Sequence, residues 1–386
     1  MMFYYAHSKA GGIVWCVLAC AAFFLSGCRH HPVDSDPGFS ERFVWFKSHP
    51  DETRQDVEKG VLWSMSFLGA ETPQPDVFTW YSDTSFVLDL KRLGFGPNAE
   101  LALKRILYEL KQSEFYALHS GIDLGRFISL CLLSSHHYYA ITGVPATLEE
   151  FIEDASWSEP ATAVTRSTVS KETRIVKLPE YRISNKSVFV ASVEHINEDG
   201  TRTPLETEVF DIMPNGQLRF GVYNSSGQRV PYSDPEHSQA GKPSKCLWCH
   251  ETVVNRSFIA FEPIPGYLTR QQFNDSVLAH QSRIDRWRMT LHSAIDYDDK
   301  QAHTLAELLY LGFMEPDLNR VSLEWAMNAL EVQARLKDLS PKDSEEFAFL
   351  KNRYHRSEVD ARGPYSVVRV SAEAREFSNF EPNLLQ

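Results

Sequence analysis

The centre of the chain reads EVFDIMPNGQLRFGVY over residues 208–223. Asn215-Gly216 lies between two runs rich in β-branched and aromatic residues, which is the strongest short-range signal for a two-stranded hairpin. Residues 187–195 form another run of this kind upstream. Together these segments predict a small antiparallel sheet over residues 156–240.

Helical patterns flank this sheet on both sides. Apolar residues recur at spacings of three and four between residues 51 and 155, which is the period of an amphipathic helix. The same period returns after a proline-containing break, within residues 241–340. Residues 341–386 read as a polar tail with one β-like patch at 365–370. We therefore expect an α+β fold in which a helical region precedes the sheet and a second helical region follows it.

The N-terminus carries an export signal. Ile13 to Leu25 is a 13-residue, almost wholly apolar run. It is shorter than the roughly 20 residues that cross a bilayer, but it has the length of a signal-peptide core. It ends in Leu25-Ser26-Gly27-Cys28, which resembles the bacterial lipobox. An ordinary signal peptide and a poor membrane helix are the alternatives.

The lipobox resemblance implies that residues 1–27 are removed as a lipoprotein signal peptide. Cys28 is then acylated, with fatty acids such as palmitate, and residues 28–50 tether the lipid to the folded protein. We expect a protein anchored to a membrane of the cell envelope, facing the periplasm or the cell exterior. Arg29, rather than Asp, follows Cys28, which resembles the pattern for transfer to an outer membrane.

The cysteines that remain after export are few. Of six in the chain, Cys16 and Cys20 leave with the signal peptide and Cys28 takes the lipid. Cys131 stands in an apolar run, as a small buried hydrophobic residue does. An exported protein with no expected disulfide is unusual, and the remaining pair therefore needs another use.

That pair belongs to the motif Cys246-Leu247-Trp248-Cys249-His250. Residues three and four apart share one face of a helix, so both thiols can add to the vinyl groups of one haem while His250 lies beneath the iron. Chance placement of 6 Cys and 14 His in 386 residues gives such a motif in roughly 0.003 chains. The motif resembles the attachment site of c-type cytochromes, which implies one covalent haem c with His250 as proximal iron ligand.

Two other uses of a cysteine pair fit the sequence less well. A thioredoxin-like redox pair would lie in a strand–helix context within a βαβ unit, which the surrounding pattern does not show. A structural zinc site would need two further ligands, and the sequence has no second cysteine pair of this kind.

The sixth iron ligand stays open at this level. Met314 is the leading candidate because it stands at a predicted helix end before a proline, and Met213 in the hairpin is the second. His280, His292 and His303 lie on the following helices. Methionine would raise the reduction potential, histidine would lower it relative to methionine, and an empty position would admit small ligands.

Two weaker clusters also stand out. His136-His137 beside two tyrosines is consistent with a metal or second haem site, or with the polar end of a buried helix. Asp296, Asp298 and Asp299 are grouped as calcium ligands often are, but they lack the spacing of a known calcium loop, so a solvated turn is the better interpretation.

A hairpin followed by a haem motif and then by Phe258 and Phe261 is similar to the β-sheet monohaem cytochromes of the c-prime-beta type. The resemblance implies a haem packed against an antiparallel sheet with an open distal side. Some members cross-link a lysine to the haem for hydroxylamine oxidation, a role for which Lys171, Lys177 and Lys186 are candidates here.

The charge of the chain bears on its partners. The net charge is −12, and it becomes −13 without residues 1–27, which contain one Lys and no acidic residue. This balance argues against nucleic acid as a partner and favours a redox partner protein with a basic docking surface. We therefore expect haem binding with electron transfer. The alternatives are a haem enzyme acting on a peroxide or small nitrogen compound, and a haem-containing sensor or scaffold.

Overall fold

The α+β class predicted from the sequence is confirmed by the structure, a computed structural model. It describes residues 39–71, 77–180, 187–251, 253–254, 258–260, 263–291, 293–342, 348–350, 352–370 and 381–386. The signal peptide, Cys28 and the first part of the tether, to residue 38, lie outside the described residues, as do Lys186, Phe261 and His292.

The N-terminal region contains the predicted helices. They are α1 (Arg54–Ser66), α2 (Pro97–Lys111), α3 (Glu114–His119), α4 (Leu124–Leu133), α5 (Ser135–Thr142) and α6 (Leu148–Ile152). Helices α4 and α5 are separate, because Ser134 between them is extended and caps α5 through its hydroxyl.

The same region contains a sheet that the sequence analysis did not predict. Its strands are β1 (Ser40–Val44), β2 (Phe78–Trp80), β3 (Ser85–Asp89) and β4 (Ile122–Asp123), in the order β2-β3-β1-β4. Strands of two to five residues are too short to reveal a period of two.

The predicted central sheet is present, with five antiparallel strands in the order β10-β9-β8-β7-β5. They are β5 (Thr162–Val164), β7 (Arg174–Lys177), β8 (Phe189–Ile196), β9 (Arg202–Ile212) and β10 (Leu218–Asn224). The Asn-Gly hairpin joins β9 to β10 with Phe210 opposite Phe220. A two-stranded ribbon pairs β6 (Arg166–Ser167) with β11 (Phe258–Ala260).

Helices return after the sheet. They are α7 (Pro243–His250), α8 (Arg270–Arg288), α9 (Lys300–Met314), α10 (Leu318–Trp325), α11 (Ala329–Leu336) and α12 (Arg356–Arg362). Helices α10 and α11 are separated at Ala326, whose φ of 50° is left-handed. The β-like patch at 365–370 forms no strand, so that prediction is wrong; its alternating pattern is not matched by a partner strand.

Residues 39–386 form one compact unit. One large apolar core joins the N-terminal helices, the five-stranded sheet, and helices α8 and α9, while a smaller core lies under α10, α11 and α12. None of the described helices is both long and apolar enough to cross a membrane.

Candidate haem c site

One face of the five-stranded sheet carries a row of aromatic rings. Phe189, Phe210 and Phe220 stand opposite one another on β8, β9 and β10. The centroids of Phe189 and Phe210 are 4.5 Å apart in a stacked arrangement, and those of Phe210 and Phe220 are 5.6 Å apart. Such cross-strand aromatic pairs stabilise a sheet, and this row provides a flat apolar floor.

The motif helix α7 lies beside this floor. A loop over residues 233–241 leads into it, closed by a hydrogen bond from the backbone N–H of Ser233 to Gly241 O at 2.7 Å. Pro243 occupies the first turn, where its missing N–H costs nothing. The helix ends at His250 because Glu251 takes a φ of 50°, a strained value for a residue other than glycine.

The three motif residues converge on one cavity of about 460 Å³. We call it the motif cavity, defined by Cys246, Cys249 and His250. The aromatic row and branched aliphatic residues of β7 and β8 line it on the sheet side. Phe273 and Val277 of α8 also line it. Its size is within the range of protein sites for drug-sized ligands and cofactors.

His250 is held against the floor of the motif cavity. Its ring centroid is 5.4 Å from that of Phe210 and 5.5 Å from that of Phe220. Burial lowers the pKa of His250, so the imidazole is neutral and able to ligate a metal. Its Nδ1 atom is buried with no hydrogen-bond partner among the described residues.

The surroundings of Cys246 differ from those of a redox-active cysteine. Neither Cys246 nor Cys249 forms a disulfide, and burial together with the nearby Glu208 raises the pKa of the Cys246 thiol. Redox-active cysteines instead have a lowered pKa. Across the part of the chain that the structure describes, no group of three or more His, Cys, Asp or Glu side chains is arranged to hold a metal ion, so a zinc site lacks its remaining ligands.

These residues fit a covalent haem c. Two thiols three residues apart face the cavity together with the imidazole, and the remaining walls are mainly apolar, as the macrocycle requires.

The candidates for the sixth ligand lie elsewhere. Met314, at the end of α9, is buried in the large core and does not line the motif cavity, and neither does Met213 beside Gly69. His280 packs edge-on against Phe189 and lines a neighbouring cavity, not the motif cavity. His303 packs edge-on against Trp248, and its Nε2 atom lies 3.5 Å from Glu251 Oε1.

The other predicted clusters have structural roles. His137 is buried, with Nδ1 against Leu130 O at 2.9 Å and Nε2 accepting from Leu384 N at 2.8 Å, as the polar end of a buried helix. Asp299 caps α9 and Asp296 closes a turn. Lys177 lies over the ring of Trp157, and neither it nor Lys171 lines the motif cavity.

The structure also brings charged residues to the cavity that the sequence analysis missed. Arg174 and Glu208 line it as a partly buried ion pair, and Glu206 lies next to Glu208 on the same face of β9. The alternation in Glu206-Thr207-Glu208 could have indicated this group. Alternate residues of a strand share one face, so both glutamates lie on the same face as Phe210.

Comparison with known proteins finds no match. No family model, no curated protein and no solved structure is similar enough to this chain to assign a relationship. The resemblances to the lipobox, to c-type cytochromes and to the c-prime-beta type therefore rest on the residues themselves and stay predictions.

Proposed function

We propose that this protein is an exported, lipid-anchored monohaem c-type cytochrome of the cell envelope. The observation that carries the proposal is the convergence of Cys246, Cys249 and His250 on a mainly apolar cavity of about 460 Å³. The N-terminal sequence up to Cys28 supports export and lipid anchoring.

Each residue has a distinct part in this proposal. Cys246 and Cys249 hold the haem through thioether bonds, and His250 supplies the proximal nitrogen. The bound haem supplies a one-electron redox centre. Phe210 and Phe220 fix the plane of the imidazole, since both rings contact it. Trp248 packs against Tyr310 and His303 of α9, which anchors the motif helix to the C-terminal half of the molecule.

Electron transfer is the first function we propose for this centre. The acidic chain, with a net charge of −12, favours docking to a basic redox partner protein in the envelope, and such docking weakens as salt rises. The lipid on Cys28 would keep the protein near membrane-bound partners without a charged surface patch.

Catalysis on a small molecule is the second candidate, and one observation favours it. Among the described residues that line the motif cavity, His250 is the only histidine and there is no methionine. An iron with no protein side chain in the sixth position binds and activates small ligands. Peroxide or a small nitrogen compound would then be the substrate.

Haem attachment is tested first. We expect the full chain, expressed with cytochrome-maturation machinery, to be coloured and to retain haem-dependent staining after denaturing electrophoresis. The double substitution Cys246→Ala and Cys249→Ala should abolish that staining. Cys131→Ala is the matched control, since Cys131 is buried in the core away from the motif cavity, and it should retain full staining.

The spectrum of the purified protein separates the two functions. A low-spin, six-coordinate spectrum that does not respond to cyanide or nitric oxide supports electron transfer alone. A high-spin spectrum with tight binding of these ligands and measurable turnover supports the catalytic candidate. A colourless protein, with both thiols reactive toward alkylating reagents, contradicts the whole proposal.

A further inference from the structure

A line of three carboxyl groups leads from the protein surface to the motif cavity. Glu208 lines the cavity. Glu206 lies two residues earlier on the same face of β9, about 7 Å along the strand, and only 2% of its surface is exposed. Asp234, in the loop that precedes the motif helix, is exposed, and its backbone N–H donates to Glu206 Oε2 at 2.5 Å.

The charges in this group do not balance when all of them are ionised. Arg174 pairs with Glu208, which also accepts a hydrogen bond from Ser238 Oγ at 2.9 Å. Among the described residues, Arg174 is the cation that acts on Glu206. The Oε1 atom of Glu206 is buried and has no hydrogen-bond partner in that part of the chain. A buried carboxylate without a counter-charge is costly, so one of the two glutamates favours its protonated form.

The charged groups that act on Glu206 come from its own strand, from β7 and from the loop before the motif helix. Glu208 faces it from its own strand, Arg174 from β7 and Asp234 from the loop. The residues directly opposite on the neighbouring strands, Val193 and Asn224, are uncharged. On α7, the nearest charged and titratable groups facing the cavity are Lys245, Cys246, Cys249 and His250. Burial and the charge of Glu208 raise the pKa of Glu206 to about 8.

We propose that Asp234, Glu206 and Glu208 form a proton-exchange route, through which one proton enters from solvent for each electron that a haem in the motif cavity receives. The inference rests on the proposed haem site. It adds a proton-binding function to that site, and Glu206 is the group that stores the proton.

The step balances in charge and atoms. With a haem bound, an external one-electron donor would supply the electron, and the cavity would become one unit less positive. At pH values where Glu206 is ionised, its carboxylate oxygen would then bind a proton that water supplies beside Asp234, so one O–H bond would form. Loss of the electron would reverse both transfers, because the returning positive charge favours the carboxylate.

The test is a redox titration of the haem-loaded full chain between pH 5 and 9, with dithionite as reductant. The haem absorption spectrum reports the reduced fraction and gives the midpoint potential at each pH. We expect the midpoint potential to fall as pH rises, with a slope of one proton per electron over part of that range. Glu206→Gln should lose this slope. The matched control is Glu194→Gln on β8, a partly buried glutamate paired with Arg202 at 3.5 Å outside the motif cavity, which should keep the slope.

A measurement on the unaltered protein guards against a Glu206 variant that fails to fold. Reduced-minus-oxidised infrared spectra should show a protonated-carboxyl C=O band that gains intensity on reduction. A coloured protein whose potential is independent of pH and which lacks this band overturns the proton route but leaves the haem proposal intact. A protein without haem overturns both proposals.

Discussion

At the scale of the residue, His137 shows how a histidine is used as a structural bridge. Its Nδ1 contacts Leu130 O and its Nε2 accepts from the backbone N–H of Leu384, so the ring must be neutral to make both bonds. Nearby, Glu381 accepts from Ser135 N and pairs with Lys242, the N-cap residue of the motif helix. The C-terminal segment 381–386 is thus attached to the helices that support the candidate site.

We predict that acid weakens this bridge. Burial lowers the pKa of His137 from 6.5 to about 4. Because the folded pKa is the lower one, the unfolded chain binds more protons between these values, and stability is complete above pH 6.5 and falls as pH drops toward 4. Protonation of His137 should lower the free energy of unfolding by about 3 kcal/mol between pH 6.5 and 4. Urea unfolding at a series of pH values measures this loss.

The matched comparison uses the neighbouring histidine. His137→Gln should lower stability at pH 7 and remove most of the loss between pH 6.5 and 4. His136→Gln should keep most of that loss, because the charge of His136 is a smaller cause of the lowered pKa of His137 than burial. Identical pH profiles for all three proteins would show that His137 does not titrate in this way.

At the scale of the element, the β9–β10 hairpin is more than a turn between strands. Asn215 donates to Ser66 O at 2.7 Å and to Ala70 O at 2.9 Å, so the tip is docked against the end of α1. Gly216 has a φ of +87°, and a Cβ there would clash with the hydroxyl oxygen of Tyr297. The hairpin therefore joins three regions of the chain while presenting Phe210 and Phe220 to His250.

We predict that Gly216→Ala destabilises the protein by about 2–4 kcal/mol, because it combines a left-handed backbone with a steric clash against Tyr297. Gly200, in the β8–β9 turn, is the control: its φ is +80°, but no atom lies within 4 Å of the position that a Cβ would take. Gly200→Ala should cost only the backbone strain, about 1 kcal/mol. The urea midpoints of the two variants measure the difference, and equal losses would contradict the clash.

At the scale of the whole molecule, a buried ion network joins distant parts of the chain. Glu324 on α10 accepts two bonds from Arg356 on α12, at 2.7 and 2.9 Å, and one from Arg320 at 2.6 Å. Arg126 on α4 pairs with Asp360 at 3.0 Å. Arg356 and Asp360 belong to residues 341–386, for which the sequence predicts a polar tail. This segment therefore connects the N-terminal helices to the C-terminal ones.

We predict that Glu324→Gln destabilises the protein at pH 7 by about 3–5 kcal/mol, since it leaves two buried guanidinium groups without full compensation. Burial would raise the pKa of Glu324, but Arg356 and Arg320 outweigh it and lower the pKa to about 2. The stabilisation is therefore complete above the usual value of 4.5 and disappears as pH falls through about 2.

Asp83→Asn is the control for this network. It removes the partner of Arg54 in an ion pair whose side chains are 79% and 49% exposed, and it should change stability by less than about 0.5 kcal/mol. Thermal or urea unfolding of both variants measures their free energies of unfolding. A Glu324→Gln variant as stable as the Asp83→Asn variant would refute a structural role for the network.

The sequence by itself determined the features that depend on near neighbours. The Asn215-Gly216 hairpin, the helical period of α1, α2 and α8, and the motif of Cys246, Cys249 and His250 are all readable from spacing, because turn chemistry, side-chain periodicity and thiol separation act within a few residues.

Only the tertiary structure decided the features that depend on residues far apart in the chain. The short strands β1 to β4 exist through pairing with one another, and Arg174 reaches Glu208 because β8 lies between their strands and sets their register. The position of Met314 at a helix end before a proline predicted an iron ligand. In the structure Met314 packs in the large core and does not line the motif cavity. Long-range packing energy, which no local pattern records, selects these arrangements.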